Sequence, residues 1–180
     1  MTVDDGDAAR EKAVRQVLDG LGAAYEILPC DPALADTEVF CAHYGVPPGQ
    51  SANTILVASK TEPRVYAACV LLATTRLDVN KTVRKKLGVR RASFAGPEDT
   101  ARLTGMLLGG VTPFGLPDDL PLWIDARVME PEWVILGGGS RSAKVKAAPG
   151  VLSRLPGAEV VEGLALAPAG QPAAGSGSPS

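Results

Sequence analysis

Glycines at both ends of an apolar run mark residues 105–115 as the segment with the clearest chemical potential. A glycine lets a ligand approach the backbone because no Cβ stands in the way, and it leaves N–H groups free to face an oxyanion. A β-bulge or a corner of a sheet explains the same pattern equally well. The sequence therefore predicts either an oxyanion-binding loop or a structural corner.

A second glycine cluster, residues 137–139, follows the apolar residues 133–136 and precedes Ser140 and Ser142. A dinucleotide-binding turn is disfavoured, because the third glycine of G-x-G-x-x-G is absent and Pro149 shortens any following helix. Backbone N–H groups and serine hydroxyls in such a turn can hold a carboxylate or a phosphate. A plain tight turn is the alternative.

The scarcity of histidine and cysteine excludes several kinds of catalysis. His43 is the single histidine, which leaves a Ser-His triad or a multi-histidine metal site unsupported. Cys30, Cys41 and Cys69 have no recognisable activating partner, so we expect them to be small core residues. We predict no metal and no cofactor. An odd, sparse set of cysteines also favours a reducing, cytoplasmic compartment.

Positive charge is concentrated in residues 76–91, where seven basic side chains accompany a single acid, Asp78. On a helix, Lys81, Arg84 and Lys85 share one face, and such a patch attracts phosphates. This makes the three side chains candidates for contact with the phosphates of a nucleic acid. A solvated helix face is the simpler interpretation.

Hydrophobic periodicity predicts an α/β domain. Helices are expected at residues 13–21, 36–44, 77–87, 98–104 and 151–155, and strands at 25–28, 53–59, 64–72, 92–95, 122–126, 133–136 and 159–161. A short polar turn between the second and third strands indicates a hairpin at the centre of the sheet. We therefore predict a mixed, mostly antiparallel curved sheet with flanking helices.

Length and composition indicate one folded domain. The chain has 180 residues, of which 46% are hydrophobic and 21% charged, and a net charge of −2 that argues against a generally basic surface. Its longest apolar stretch, residues 65–73, is far shorter than the roughly 20 residues that cross a bilayer, so no membrane insertion is expected. We predict a flexible N-terminus at 1–8, a domain at 9–165 and a disordered tail at 166–180.

Several blocks of sequence share the order and spacing of one family. They are residues 45–57, 77–81, 86–88, 104–105, 109–115, 120–121 and 124–126. On these blocks the chain resembles the YbaK, or prolyl-tRNA-synthetase-associated, domain from about residue 9 to residue 163. The resemblance implies the aminoacyl-tRNA editing fold and hydrolysis of the ester between a wrong amino acid and tRNA, without a metal. The partners it implies are tRNA, with Lys81, Arg84 and Lys85 as the candidate contacts, and as a second candidate an aminoacyl-tRNA synthetase.

The resemblance also implies roles for individual residues. Catalysis would involve position 53 and the backbone of the glycine loop, and substrate binding would involve its neighbours. The implied catalytic residues are Asn53, Gly109, Gly110, Val111 and Thr112, and the implied substrate-binding residues are Thr54, Pro113, Asp125 and Ser140.

Asn53 departs from the family pattern, which has a lysine immediately before Thr54. Asparagine offers only neutral hydrogen bonds where lysine offers a charge. The sequence is therefore compatible with two functions, a deacylase of mischarged tRNA and a weakly active or inactive module that binds aminoacyl-tRNA or a synthetase.

Overall fold

The computed structural model describes residues 3–167, with side chains from residue 5 onward; residues 1–2 and 168–180 lie outside that range. Residues 1–2 of the predicted flexible N-terminus and residues 168–180 of the predicted tail therefore fall outside the described residues. The helices are α1 Val3–Gly20, α2 Thr37–Tyr44, α3 Arg84–Leu87 and α4 Pro97–Thr104. The strands are β1 Tyr25–Pro29, β2 Ala52–Ser59, β3 Tyr66–Leu72, β4 Arg76–Leu77, β5 Ala92–Phe94, β6 Leu122–Asp125, β7 Val134–Gly137, β8 Ala143–Ala147, β9 Ala158–Val161 and β10 Ala165–Leu166.

A five-stranded sheet in the order β5-β2-β3-β6-β9 forms the centre of the molecule. β2 and β3 pair in antiparallel register with Ala52 opposite Leu72, which confirms the predicted hairpin. β6 pairs with β3, and β9 with β6, in parallel. Both hairpin strands are rich in β-branched and small apolar residues, which suit a sheet covered on both faces.

A second, antiparallel sheet in the order β1-β8-β7 packs beside the first, and β4 pairs with β10. An isolated parallel bridge between Ser51 and Ile135 joins the start of β2 to β7. The architecture is a mixed α/β fold with a mostly antiparallel sheet and flanking helices, as predicted. Its main core contains Val14 and Leu18 of α1, both almost fully buried.

Three predicted helices differ from the structure in extent or in type, whereas other predicted elements differ by one or two residues at an end. α1 begins at Val3, ten residues before the predicted start, so residues 3–8 are helical. The predicted helix at 77–87 consists of β4, a π-helical turn over Val79–Val83 and the single turn of α3. The Asp78 carboxylate accepts a hydrogen bond from the Thr82 N–H and so holds the wider turn. Residues 149–154 form a 3-10 helix instead of an α-helix.

β8 was not predicted. Its sequence alternates two lysines with alanine and valine, and in the structure Lys144 is buried between neighbouring elements. Lysine is rarely buried, so a sequence with lysines at alternate positions does not indicate a central strand. β8 nevertheless pairs with β1 along its whole length and with β7 over residues 144–147.

Cys69, in the middle of β3, gives a direct test of the packing. The side chain is fully buried, and burial raises its pKa to about 12 from an ordinary value of 9.0. At pH 8 the thiolate fraction is then about a thousandfold lower than that of an accessible thiol, and only the thiolate is alkylated. Because the native state holds this proton more tightly, the group also destabilises the fold as pH rises above about 9.

We expect native protein at pH 8 to leave Cys69 unmodified by iodoacetamide for as long as the fold persists. Peptide mass spectrometry before and after urea treatment measures this, with the urea-unfolded chain as the control. Equal modification rates at Cys69 in native and unfolded protein would contradict the packing of β3.

Candidate functional site

A cavity of about 180 Å³ lies at the edge of β2. β5 pairs only with residues 57–59 of β2, so the first half of the strand has no partner in β5, and it forms one wall of the cavity. The other walls come from the start of α2, the loop at 108–111, and strands β7 and β8. Drug-sized ligands occupy pockets of roughly 300–1,000 Å³, so this cavity fits a small chemical group.

Thr54 provides an unused polar atom in the cavity wall. The residue is 8% exposed, and its hydroxyl is the one buried side-chain oxygen or nitrogen without a hydrogen-bond partner among residues 5–167. Leaving a buried hydroxyl unpaired costs about 1–3 kcal/mol. Such a group is typical of a site where a ligand supplies the missing partner.

Lys144 supplies a cation to the opposite wall. The residue is 6% exposed, and its Nζ donates hydrogen bonds of 2.8 Å to the carbonyl oxygens of Ala35 and Gly109. The ammonium also lies 5.3 Å from the centroid of the Phe40 ring. Burial is the main cause that lowers the pKa of Lys144 below its ordinary value. The carbonyls and the ring favour the charged form and offset part of that desolvation.

Arg141 links the same two segments at the rim. Its Nη1 donates to Asp36 Oδ1 at 3.0 Å and to the Leu108 carbonyl at 2.7 Å, and its Nε donates to the Pro32 carbonyl at 3.0 Å. Arg141 and Lys144 together therefore bind the 108–109 loop to the chain that leads into α2. Each contact is a charge-assisted hydrogen bond, which is stronger than a neutral one.

Gly109 has to be a glycine for this arrangement to form. Its φ is +89°, in the left-handed region, and a Cβ there would lie 3.0 Å from the guanidinium carbon of Arg141 and 3.3 Å from Asp36 Oδ1. The loop and the guanidinium thus occupy one small volume. Packing against Arg141 therefore accounts for the glycine at position 109, and oxyanion binding by the loop remains a prediction.

The next residues of the loop carry backbone donors without acceptors. Among the hydrogen bonds of the described residues, none has the Val111 or the Thr112 N–H as its donor. Val111 lines the cavity, whereas Thr112 is fully buried beside it. Unpaired N–H groups next to a cavity are suited to binding an oxyanion or a carbonyl oxygen.

Asn53 lies between this cavity and a second one of about 490 Å³. Its side-chain carbonyl accepts a hydrogen bond from the Thr37 hydroxyl, and both residues line both cavities. The second cavity extends from there along α2 toward Val46 and Pro48. The side-chain amide of Asn53 donates to no acceptor within residues 5–167.

The structure brings some of the predicted site residues together and places others elsewhere. Asn53, Thr54, Gly109 and Val111 share the small cavity. Gly110 and Thr112 are buried and lie outside the lining of this cavity. Three others lie outside the lining of this cavity, namely Pro113, Asp125 and Ser140.

The three outlying residues have structural contacts. Pro113 lines a separate cavity beside Val17. The Asp125 carboxylate accepts from the N–H groups of Arg127 and Ala165, and so holds β10 against the end of β6. Ser140 donates to Glu11 Oε1 at 2.5 Å and thereby ties the 137–142 turn to α1.

The predicted tRNA-contacting side chains Lys81, Arg84 and Lys85 are exposed on the π-helical turn and α3. None of the three lines the small cavity. Lys86, beside them, is paired with Glu159. The surface is accessible, and its binding of nucleic acid remains a prediction.

Lys144 and Arg141 were missed by the sequence reasoning. Both follow the glycine triplet that drew attention for its backbone, and the alternation in residues 143–147 suggests lysines that face solvent. Within the described part of the chain, no group of three or more His, Cys, Asp or Glu side chains is arranged to hold a metal. No helix there is long and apolar enough to cross a membrane.

The sequence family follows from comparison with known proteins. A model of the aminoacyl-tRNA editing domain matches residues 31–155, well over half of the chain. The chain belongs to the aminoacyl-tRNA editing domain family, and the resemblance to YbaK proteins is confirmed.

Solved structures share the fold. A crystal structure of a hypothetical protein superposes with a TM-score of 0.76 at 23% identity and covers 86% of this chain and 99% of its own. A proposed trans-editing enzyme for prolyl-tRNA synthetase superposes with a TM-score of 0.72 at 23% identity, covering 85% and 95%. At such identities the likeness establishes the fold.

Proposed function

We propose that this protein is an aminoacyl-tRNA deacylase that acts in trans on the ester of a mischarged tRNA of the proline-tRNA type. One observation carries the proposal: a small cavity with unpaired donors meets a larger cavity at Asn53 and Thr37. An aminoacyl ester likewise has a small part and a large part, because a small acyl group is joined to a bulky nucleotide. The acyl group would occupy the small cavity, and the ester would lie beside Asn53.

Hydrolysis of an aminoacyl ester does not require a nucleophilic side chain. An ester is an activated substrate, so orientation and stabilisation of the developing oxyanion can supply most of the acceleration. The Val111 N–H, and the loop that Gly109 and Gly110 hold in place, would face the ester carbonyl. The attacking group would be a water or the neighbouring ribose hydroxyl, with no protein nucleophile and no metal. The exposed cations Lys81, Arg84 and Lys85 would bind phosphates of the tRNA.

Incubation with a panel of mischarged tRNAs, under single-turnover and substrate-excess conditions, tests this function. We expect wild-type protein to clear at least one small acyl group faster than buffer does. Asn53→Lys places a cation at the junction of the two cavities, where it attracts phosphate, so we expect it to raise kcat/KM about tenfold. The two proteins should have similar melting temperatures, because residues 37 and 53 are half-buried and water can replace the acceptor that the Thr37 hydroxyl loses.

A second function is favoured by the side chain of Asn53 itself. Its carbonyl is already bonded to Thr37, and it carries no charge, so the same cavities could bind an acylated tRNA end without cleaving it. In that case wild-type protein binds aminoacyl-tRNA and clears nothing, and Asn53→Lys creates activity from none. If neither protein binds or clears any aminoacyl-tRNA, both functions are excluded.

A further inference from the structure

Lys144 stands out because a lysine with 6% exposure is uncommon and, within residues 5–167, no carboxylate lies within ion-pair distance of its ammonium. The ion pairs among residues 5–167 do not include it. Its neighbours Ala35 and Gly109 satisfy two of the three N–H bonds of the ammonium. One N–H is left without an acceptor among residues 5–167.

The position of that ammonium makes the free donor useful. Lys144 is the one basic residue that lines the small cavity within the described part of the chain. Thr54, whose hydroxyl also has no partner among residues 5–167, lines the same cavity. Because the cavity holds only about 180 Å³ and both residues line it, a single small group that fills it lies next to both residues.

We propose that Lys144 is a ligand-contacting residue whose remaining N–H donates to an oxygen of the acyl group held in the small cavity, with Thr54 as its neutral companion. This deepens the proposed function and rests on it. The charge acts in a poorly solvated space, where electrostatic interactions are stronger than in water. Asp36, the one acidic residue that lines the cavity within the described part of the chain, is paired with Arg141. The cavity therefore selects acyl groups that offer an oxygen acceptor and carry no positive charge on the side chain.

A preference for neutral over cationic ligands distinguishes a Lys144 that contacts the ligand from one with a purely structural role. A lysine that only braced Ala35 and Gly109 would affect all ligands of one size alike. A lysine that faces the acyl group disfavours a cationic side chain by repulsion and does not disfavour a neutral one of the same shape. The 2-aminobutyryl and 2,3-diaminopropionyl groups form such a pair, because their side chains have the same number of heavy atoms and differ in charge.

The test uses non-hydrolysable adenosine analogues in which each of these groups is joined to the 3′ position by an amide. Calorimetric titration gives their affinities for wild-type protein, Lys144→Met and Lys144→Arg. Lys146→Met is the matched control, since Lys146 lies on the same strand and stacks over Trp133, 4.3 Å from the ring centroid, outside this cavity. Thermal unfolding confirms that each variant is folded.

We expect Lys144→Met to bind the aminobutyryl analogue about 10- to 100-fold more weakly, the range for a lost hydrogen bond to a charged group. It should also lose most of the preference of the wild type for the neutral analogue. Lys144→Arg, which keeps the charge, should retain that preference, and Lys146→Met should match the wild type in both respects.

If folded Lys144→Met binds the neutral analogue within threefold of wild type, or keeps the same preference, the contact is overturned and the proposed function stands. If Lys144→Met is unfolded, Lys144→Arg decides the matter: loss of the charge preference in this variant overturns the contact. If wild-type protein binds no analogue and clears no ester, the proposed function fails and the contact fails with it.

Discussion

Gly137→Ala is expected to lower the free energy of unfolding by about 3 kcal/mol, the upper end of the usual cost of overpacking. A Cβ on Gly137 would lie 2.8 Å from the carbonyl carbon of Val111, closer still to its oxygen, and 3.2 Å from the Gly110 oxygen. These atoms belong to the backbone and cannot rotate away. The added methyl group must push β7 from the 110–111 loop, and that displaces two walls of the cavity at once. Urea denaturation followed by circular dichroism measures the loss.

Gly150→Ala is the matched control for this prediction. Gly150 belongs to the 3-10 helix at 149–154, is exposed, and would have no atom within 4 Å of an added Cβ. The same substitution there should change the free energy of unfolding by less than about 1 kcal/mol. A Gly137→Ala variant as stable as Gly150→Ala would show that β7 and the loop are not in the close contact described.

Local patterns account for the parts of the fold that were predicted. The β2–β3 hairpin could be recognised because both strands are continuous apolar runs separated by a short polar turn, and such signals lie within twenty residues of sequence. α2 was predicted with its correct end because Gly45 adopts the left-handed conformation that ends helices. Pro97 likewise marked the start of α4. Each signal is local and needs no knowledge of distant neighbours.

The site was predicted less completely because its chemistry depends on contacts between distant residues. Lys144 meets Ala35 across 109 positions of sequence, and Ser140 meets Glu11 across 129. No pattern in residues 140–147 shows which hydroxyl or ammonium turns inward. The sequence left an anion site and a tight turn as alternatives for the 137–142 turn. In the structure the Ser140 hydroxyl donates to Glu11 of α1, and the Gly139 N–H donates to the Gly110 carbonyl. Those two groups are thus occupied by the fold.

Family blocks located the cavity because they reflect that distant packing indirectly. Asn53, Thr54, Gly109 and Val111 come from two blocks more than fifty residues apart, and they line one cavity. Asp125 lies in another such block, yet its carboxylate holds β10 in place. A shared block therefore identifies residues that matter to the fold or to the site, and the structure is needed to decide between the two.

Thr54→Val is expected to change stability and ligand binding in opposite directions. Valine has nearly the shape of threonine, and it removes a buried hydroxyl that has no partner, so the free energy of unfolding should stay constant or rise by up to about 1 kcal/mol. If a ligand oxygen or N–H pairs with that hydroxyl, the variant should bind the amide-linked aminobutyryl analogue about tenfold more weakly. Urea denaturation and calorimetric titration of the same preparation give both quantities.

Thr112→Val provides the comparison, because it is the same substitution at a buried threonine whose hydroxyl is used. Thr112 Oγ1 accepts a hydrogen bond of 3.3 Å from the Phe114 N–H, so valine there leaves a buried donor unpaired and should lower the free energy of unfolding by about 1–2 kcal/mol. A Thr54→Val protein that is destabilised as strongly as Thr112→Val would mean that the Thr54 hydroxyl already has a partner within the protein. It would then be unavailable to a ligand, and the small cavity would lose one of the two groups that qualify it as a binding site.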